Sequence, residues 1–366
     1  MFLYAIPIIS SLIGAIHYDI NGKKRYNNVL WFCLFLYMTL FMGLRFGVGG
    51  DTIVYMIEYK YIPTIGNFNL NIPNRFEPGF NFLMSIGKSL SSEFVSFQLI
   101  HIFIINTILF YLISKYSKFR YTAFLCCIFV FYYYFATEIL REALAVLIFA
   151  CNYNNLKRHR WINYYILAFL SVLCHTSAFI LFIIPFFTWI RFDSKYPFII
   201  LITIILGLLL AHFFTIFSGL DIIYNGINTY ANNTSSGLFA DFMNLCRWCL
   251  FPLLFILYIK FQLKVPIQFE NMIAIMILLG ILTFFYPLIF SRLSNYFKLF
   301  FSISFANGII QMFISKKSQI RQFCLVFASS FVIFYGSQFL LYRYYIRLIP
   351  YYSIFNPVQI DRDNYN

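Results

Sequence analysis

Apolar runs of roughly 15–21 residues recur from one end of the chain to the other, and that pattern leaves few folds open. A run of this length suits a helix crossing a hydrocarbon core about 30 Å thick. Backbone inside lipid must satisfy its own polar groups, so a chain of such runs packs as a helical bundle. A mean hydropathy of +0.76, with 11% charged and 22% aromatic residues, excludes an ordinary soluble domain. The expected fold class is all-α: a polytopic integral membrane protein of about 10–12 transmembrane or re-entrant helices, forming a single transmembrane domain over 1–366.

The expected segments are 2–16, 29–44, 94–114, 121–136, 139–152, 161–174, 177–190, 197–217, 243–260, 271–290, 295–314 and 322–342. Several are short enough to require tilt or local thinning of the bilayer. The stretch 2–16 lacks a basic start and a small-residue cleavage site, so it reads as the first span and not as a signal peptide.

The net charge of +14 does not point to nucleic acid, because the basic residues gather in short loops between apolar segments. Lys23–Arg25, Lys115/Lys118/Arg120, Lys157/Arg158/Arg160, Arg191/Lys195, Lys260/Lys264 and Lys316/Lys317/Arg321 fall on one side of this threading. That side holds 16 of the 27 basic residues and three of the 13 acids. The positive-inside rule makes it cytoplasmic, with both termini on the outer side. The loops 45–93 and 218–242 are then external and line an outward-facing cavity. Glu138, Arg141 and Glu142 stand at the tip of one nearly loopless hairpin, and His175 at the tip of the next. The eight cysteines lie in or beside apolar windows. Cys246-Arg-Trp-Cys249 has no partner pair, so these read as small packing residues.

Between the second and third segments, Arg45, Asp51, Glu58, Arg75 and Glu77 interrupt the apolar pattern. Gly47, Gly49 and Gly50 break any helix there, and Arg45 and Asp51 are expected to emerge together beside that turn. Ionisable groups near membrane depth call for a functional account. Arg141 suits an anion site, since a guanidinium offers a fixed fork of donors to phosphate; its alternative is an ion pair with Glu138 or Glu142. His175 brings an imidazole to a helix break, or is a structural histidine. Glu77, before Pro78-Gly79, serves the cavity, caps a helix, or pairs with Arg75. Asp51 is a candidate carboxylate, or pairs with Arg45 to fix the turn. Tyr224, Tyr230 and Asn232, on an external loop without cations, suit sugar rings or a plain hydrated loop. No nucleotide-binding glycine motif, HExxH or dense His/Cys cluster occurs, so no metal or cofactor is expected.

Arg45-Phe-Gly-Val-Gly-Gly-Asp51 with Tyr55, Glu77-Pro-Gly-Phe80, Leu140-Arg-Glu-Ala-Leu-Ala145, His175-Thr-Ser-Ala178 and Ser291-Arg-Leu-Ser-Asn-Tyr-Phe297 together resemble the EpsG-like family. That family includes Wzy-type polymerases of bacterial O-antigens, capsules and exopolysaccharides. The closing Leu348-Ile-Pro-Tyr-Tyr-Ser-Ile-Phe355 is similar to the family's C-terminal end. Many relatives carry glutamine where this chain has Glu142.

The resemblance implies a GT-C-like, multi-pass glycosyltransferase of the bacterial cytoplasmic (inner) membrane. Donor and acceptor would be undecaprenyl-diphosphate-linked oligosaccharides, and partners would include membrane lipids, a chain-length regulator and the flippase of the same pathway. On this reading Arg45, Arg141 and Arg292 bind the substrate diphosphate, and Asp51 or His175 acts as base. Glu77 orients the acceptor or is the second member of a pair, and Tyr55, Tyr224, Tyr230, Asn232 and Tyr296 contact glycan. Two other readings are a transporter or flippase of lipid-linked oligosaccharides, which would need polar groups continuing to the cytoplasmic side, and a membrane acyltransferase centred on His175.

Overall fold

Proline and glycine set several of the helix boundaries in the computed structural model, which describes residues 2–70, 72, 74–217, 238–337 and 348–357. Helix α1 (Phe2–Gly14) runs on through a π-helical turn to Ile20, and α2 spans Asn27–Gly43. Two short helices follow in the polar stretch, α3 (Thr52–Tyr59) and α4 (Pro78–Leu90). Pro78 opens α4 where its missing N–H costs no hydrogen bond. Helix α5 (Phe94–Tyr116) is followed by α6 (Arg120–Cys127), a π-helical turn, and α7 (Tyr133–Thr137). Next come α8 (Leu140–Lys157) and α9 (Trp161–Cys174).

The stretch 177–190, expected as one helix, is instead two 3₁₀ pieces, Thr176–Phe182 and Ile184–Phe187. Pro185 explains the interruption, since it has no N–H and its ring crowds the carbonyl four residues back. Helix α10 is Tyr196–Phe217, and α11 (Leu238–Leu245) continues through a π-helical turn into α12 (Phe251–Tyr258). The expected segment 271–290 is divided between α13 (Glu270–Leu282) and α14 (Pro287–Asn295). Pro287 again marks the break, and Tyr286 before it leaves helical geometry at φ −137°, ψ 82°. Helix α15 (Lys298–Phe313) and α16 (Ser318–Phe331) complete the described helices. No strand occurs among the described residues, only isolated bridges. Among the described residues, four runs are long and apolar enough to cross a membrane: Phe2–Ile20, Phe94–Tyr116, Phe242–Leu263 and Ser318–Gly336. Shorter apolar helices accompany them. The protein is an all-helical polytopic membrane protein.

The chain forms two compact units, Met1–Phe179 with Ile309–Asn366, and Ile180–Gly308. In the first unit α2 packs on α5 and α8 on α9, over buried Met38, Met42, Phe80, Phe97, Phe124 and Phe149. The connections alternate direction, so the last turn of α2, the first of α5, the last of α7, the first of α8 and the last of α9 share one end. The other end is basic, where Arg120 donates to Asn27 and Asn28 and Asp19 accepts from the Thr122 amide and hydroxyl. In the second unit Glu270 pairs with Lys260 at 2.5 Å and accepts the Phe192 amide. There α13 lies close against the Trp248 backbone at Gly280.

Candidate functional site

Three helix ends bring the site together. Glu77 stands in extended backbone immediately before α4, His175 in extended backbone immediately after α9, and Arg141 in the first turn of α8. Helices α4 and α9 approach closely at Gly79, where an added Cβ would stand 2.7 Å from the Leu173 carbonyl oxygen. The Glu77 carboxylate makes no bond to its own helix and reaches across to its neighbours. Its Oε1 accepts from His175 Nδ1 at 2.9 Å and from the Thr176 amide at 3.0 Å. Its Oε2 accepts from Arg141 Nη1 at 2.7 Å. The guanidinium also lies over the Phe76 ring, 4.9 Å from its centroid. The alternative partners expected for Arg141, Glu138 and Glu142, give way to Glu77.

Burial alone would raise the Glu77 carboxyl, but the His175 hydrogen bond, the Arg141 cation and the Thr176 amide outweigh it and hold the group at about 2. An ionised carboxylate has no proton to give, so the shared hydrogen belongs to His175 Nδ1, and in the neutral ring that tautomer leaves the lone pair on Nε2. Nε2 stands 3.8 Å from Oε2 of Glu142, a carboxylate that is itself 2% exposed. A buried imidazole oriented by a carboxylate through Nδ1, with a cation anchored to the same carboxylate, can accept a proton while an anion is held nearby.

A second cluster surrounds the glycine turn. Gly47 and Gly49 have φ of +61° and +106°, which only glycine adopts without strain. The turn presents the amides of Gly50 and Asp51 to Glu138, at 2.6 and 3.0 Å. The Thr52 hydroxyl bonds the Val48 and Thr137 carbonyls. Glu138 lies between α7 and α8; its burial outweighs the two amides and pushes its carboxyl up to about 7. Asp51 is exposed.

Arg45 does not emerge beside Asp51 as expected; it is 1% exposed. Its Nη1 donates to the Met42 carbonyl at 2.5 Å and its Nε to Val48 at 3.3 Å. The reason is local: the last carbonyls of α2 lack helical partners, and a cation just past the C-terminus satisfies them. Gln98 completes the arrangement with bonds to the Gly43 and Arg45 carbonyls. Tyr55 is buried, its ring against Phe76 and Phe80.

Arg292 and Tyr296 belong to the second unit. Arg292 is in the last turn of α14 and half-buried. Tyr296, expected to meet glycan, is fully buried at the break between α14 and α15, where the chain turns inward to start the next helix. Tyr224, Tyr230 and Asn232 lie outside the described residues. The sequence reading passed over Gln98 and His101, whose one-turn spacing on an otherwise apolar helix was the available signal. His101 is buried and bonds the Leu140 carbonyl at 2.9 Å. It also passed over Lys298, buried 4.0 Å above the Trp248 ring and bonded to Asn295.

These features define a polytopic helical membrane protein that gathers an arginine, a glutamate and a histidine at one end of its first unit. The chain belongs to the EpsG family, whose model matches residues 28–353. It is therefore a polysaccharide-polymerase-like membrane protein, glycosyltransferase-like at that coarse level. No curated protein and no solved structure gives a significant match.

Proposed function

We propose that the protein polymerises polysaccharide by joining undecaprenyl-diphosphate-linked oligosaccharide repeat units on the outer face of the bacterial cytoplasmic membrane. The observation that carries this reading is the Glu77 carboxylate bonded at once to His175 Nδ1 and Arg141 Nη1. Two demands of the reaction match it. The acceptor sugar hydroxyl must lose a proton as its oxygen attacks the anomeric carbon, and His175 Nε2 is the group to take it. The bond from that carbon to the diphosphate breaks with its electron pair, and Arg141 faces the charge that develops. Glu77 fixes the imidazole tautomer and anchors the guanidinium, the paired role among those expected of it. Asp51, exposed at the end of the glycine turn, stays the other candidate base. The asymmetry of Lys and Arg between the loops supports placing the Glu77 end outside.

Deleting the gene and examining the surface glycan tests the reading. Chains reduced to a single repeat unit, restored by the parent protein but not by His175→Gln, are the expected result. Loss of every repeat from the outer face would instead indicate a flippase.

A further inference from the structure

Arg75 has no role in the mechanism above. Its expected partner Glu77 is taken by His175, Thr176 and Arg141, and among the described residues no ion pair holds it. The side chain is exposed. Its guanidinium lies 5.8 Å from the centroid of the Phe76 ring, the same ring that carries Arg141 at 4.9 Å. The two arginines also approach through the backbone, with Arg141 Nη1 3.5 Å from the Arg75 carbonyl oxygen. Both bear electrostatically on the Tyr55 hydroxyl. Phe76 is a fixed platform, buried with its ring 5.3 Å from that of Tyr55 and 5.6 Å from that of Phe80. Two guanidiniums gathered on one ring repel each other, and an anion entering between them reverses the sign of that interaction. A lipid-linked sugar diphosphate carries a negative charge on each phosphate, and a further one develops as the glycosyl bond breaks. Arg45 directs its bonds to the carbonyls of its own helix end, so Arg141 alone, already bonded to Glu77, is a small counter-charge for such a group.

We infer that Arg75 is a second diphosphate-binding residue, which with Arg141 clasps the two phosphates of the substrate beside Phe76; the inference rests on the polymerase reading above. Arg141, tied to the same carboxylate as His175, takes the phosphate at the breaking bond. Arg75, on the exposed side, takes the phosphate that carries the lipid. In the transfer the acceptor hydroxyl proton moves to His175 Nε2, the acceptor oxygen bonds to the anomeric carbon, and the diphosphate leaves with the bonding pair. New charge appears on the phosphate facing Arg141, whereas the phosphate facing Arg75 is charged before and after. The Arg75 contact is therefore equally strong in the ground state and the transition state, and such a contact sets KM and not kcat.

The test uses the full-length protein in phosphatidylcholine proteoliposomes, supplied with a lipid-diphosphate-linked repeat unit and read per folded molecule. Arg75→Gln should raise KM roughly tenfold and leave kcat within about twofold of the parent. Arg75→Lys keeps a point charge without the planar fork and should raise KM by less. Inorganic diphosphate should inhibit the parent in competition with substrate, and Arg75→Gln should need roughly tenfold more of it. Lys60→Gln, which removes an exposed cation at the end of α3, should keep the parent KM and so exclude a general effect of net charge. A parent KM in Arg75→Gln, or a loss confined to kcat, overturns the inference and leaves the polymerase reading standing. A rise in KM seen only when phosphatidylglycerol is added to the vesicles also overturns it, because Arg75 would then be holding a membrane headgroup. A parent protein that moves the lipid-linked unit across the bilayer and makes no polymer overturns both.

Discussion

Oε1 of Glu77 lies 2.9 Å from Nδ1 of His175, a residue 98 positions further along the chain. The pair exists because α4 begins where α9 ends, and the same carboxylate carries Arg141 on its other oxygen. Removing its charge should therefore disturb two functions at once. Glu77→Gln retains the shape and one acceptor oxygen but no longer fixes the tautomer or neutralises the guanidinium. Polymer made per folded molecule should fall about a hundredfold or more. The pH dependence has a definite sign: a carboxyl lowered from 4.5 to about 2 stabilises the fold above 4.5, and that contribution is lost as pH falls from there through about 2. Melting temperatures in detergent between pH 2 and 7 should drop in the parent across this window and drop less in Glu77→Gln.

Glu138 should behave in the opposite sense. Its carboxyl is raised to about 7, so the folded state holds a proton that the unfolded chain releases. Its contribution is fully present below about 4.5 and is lost as pH rises through 7. Glu138→Gln is neutral throughout and should flatten the parent's decline in stability between pH 4.5 and 7. An unchanged slope in the variant would remove Glu138 as its source.

Arg141→Lys keeps a positive charge but loses the planar fork that bonds Glu77 while lying over Phe76. An ammonium cannot do both in that geometry. Polymerisation should weaken at least tenfold at near-normal protein abundance, read from chain length and immunoblot in the same cells. Activity equal to the parent would mean that charge alone suffices at this position.

Gly79→Ala tests the approach of the two helices without touching a functional group. The new methyl would stand 2.7 Å from the Leu173 carbonyl oxygen, and backbone cannot swing aside as a side chain can. Stability should fall by about 1–3 kcal/mol. The Glu77–His175 distance should also lengthen, so activity per folded molecule should decline with it. An active, normally stable variant would show that the approach is not needed to set the pair.

Much of the fold is legible in the sequence because lipid constrains it so strongly. Length and hydropathy place most helices within a few residues, and α5, expected over 94–114, is found at Phe94–Tyr116. The departures sit at Pro185 and Pro287, where an apolar run continues in composition but the backbone cannot continue as helix. The site was legible as a set of residue types and not as a set of pairs. Nothing periodic in the sequence tells Glu77 that its partners are Arg141 and His175; the close approach at Gly79 decides that. Arg45 shows the same limit from the other side. A cation after a glycine-rich helix end reads as a ligand for an anion, whereas its nearest acceptors are the unsatisfied carbonyls of its own helix.

The far end of the chain also reaches the glycine turn. The Phe46 amide donates to the Tyr352 carbonyl and the Ile354 amide to that of Leu44, while the Tyr351 hydroxyl bonds the Phe41 carbonyl, 310 residues earlier. A ribosome delivers these partners in the reverse of the order in which they are needed. The turn emerges early, and the segment that seals it arrives long afterwards. Until residues 351–354 are made, the Phe46 amide and the Leu44 carbonyl lack these partners. A chain halted after residue 347 should therefore insert yet admit a membrane-impermeant thiol reagent at a cysteine replacing Val48, a position 1% exposed once the chain is whole. Protection of that cysteine in the halted chain would show that the seal forms without the last segment. The glycine turn thus closes on partners made long after it.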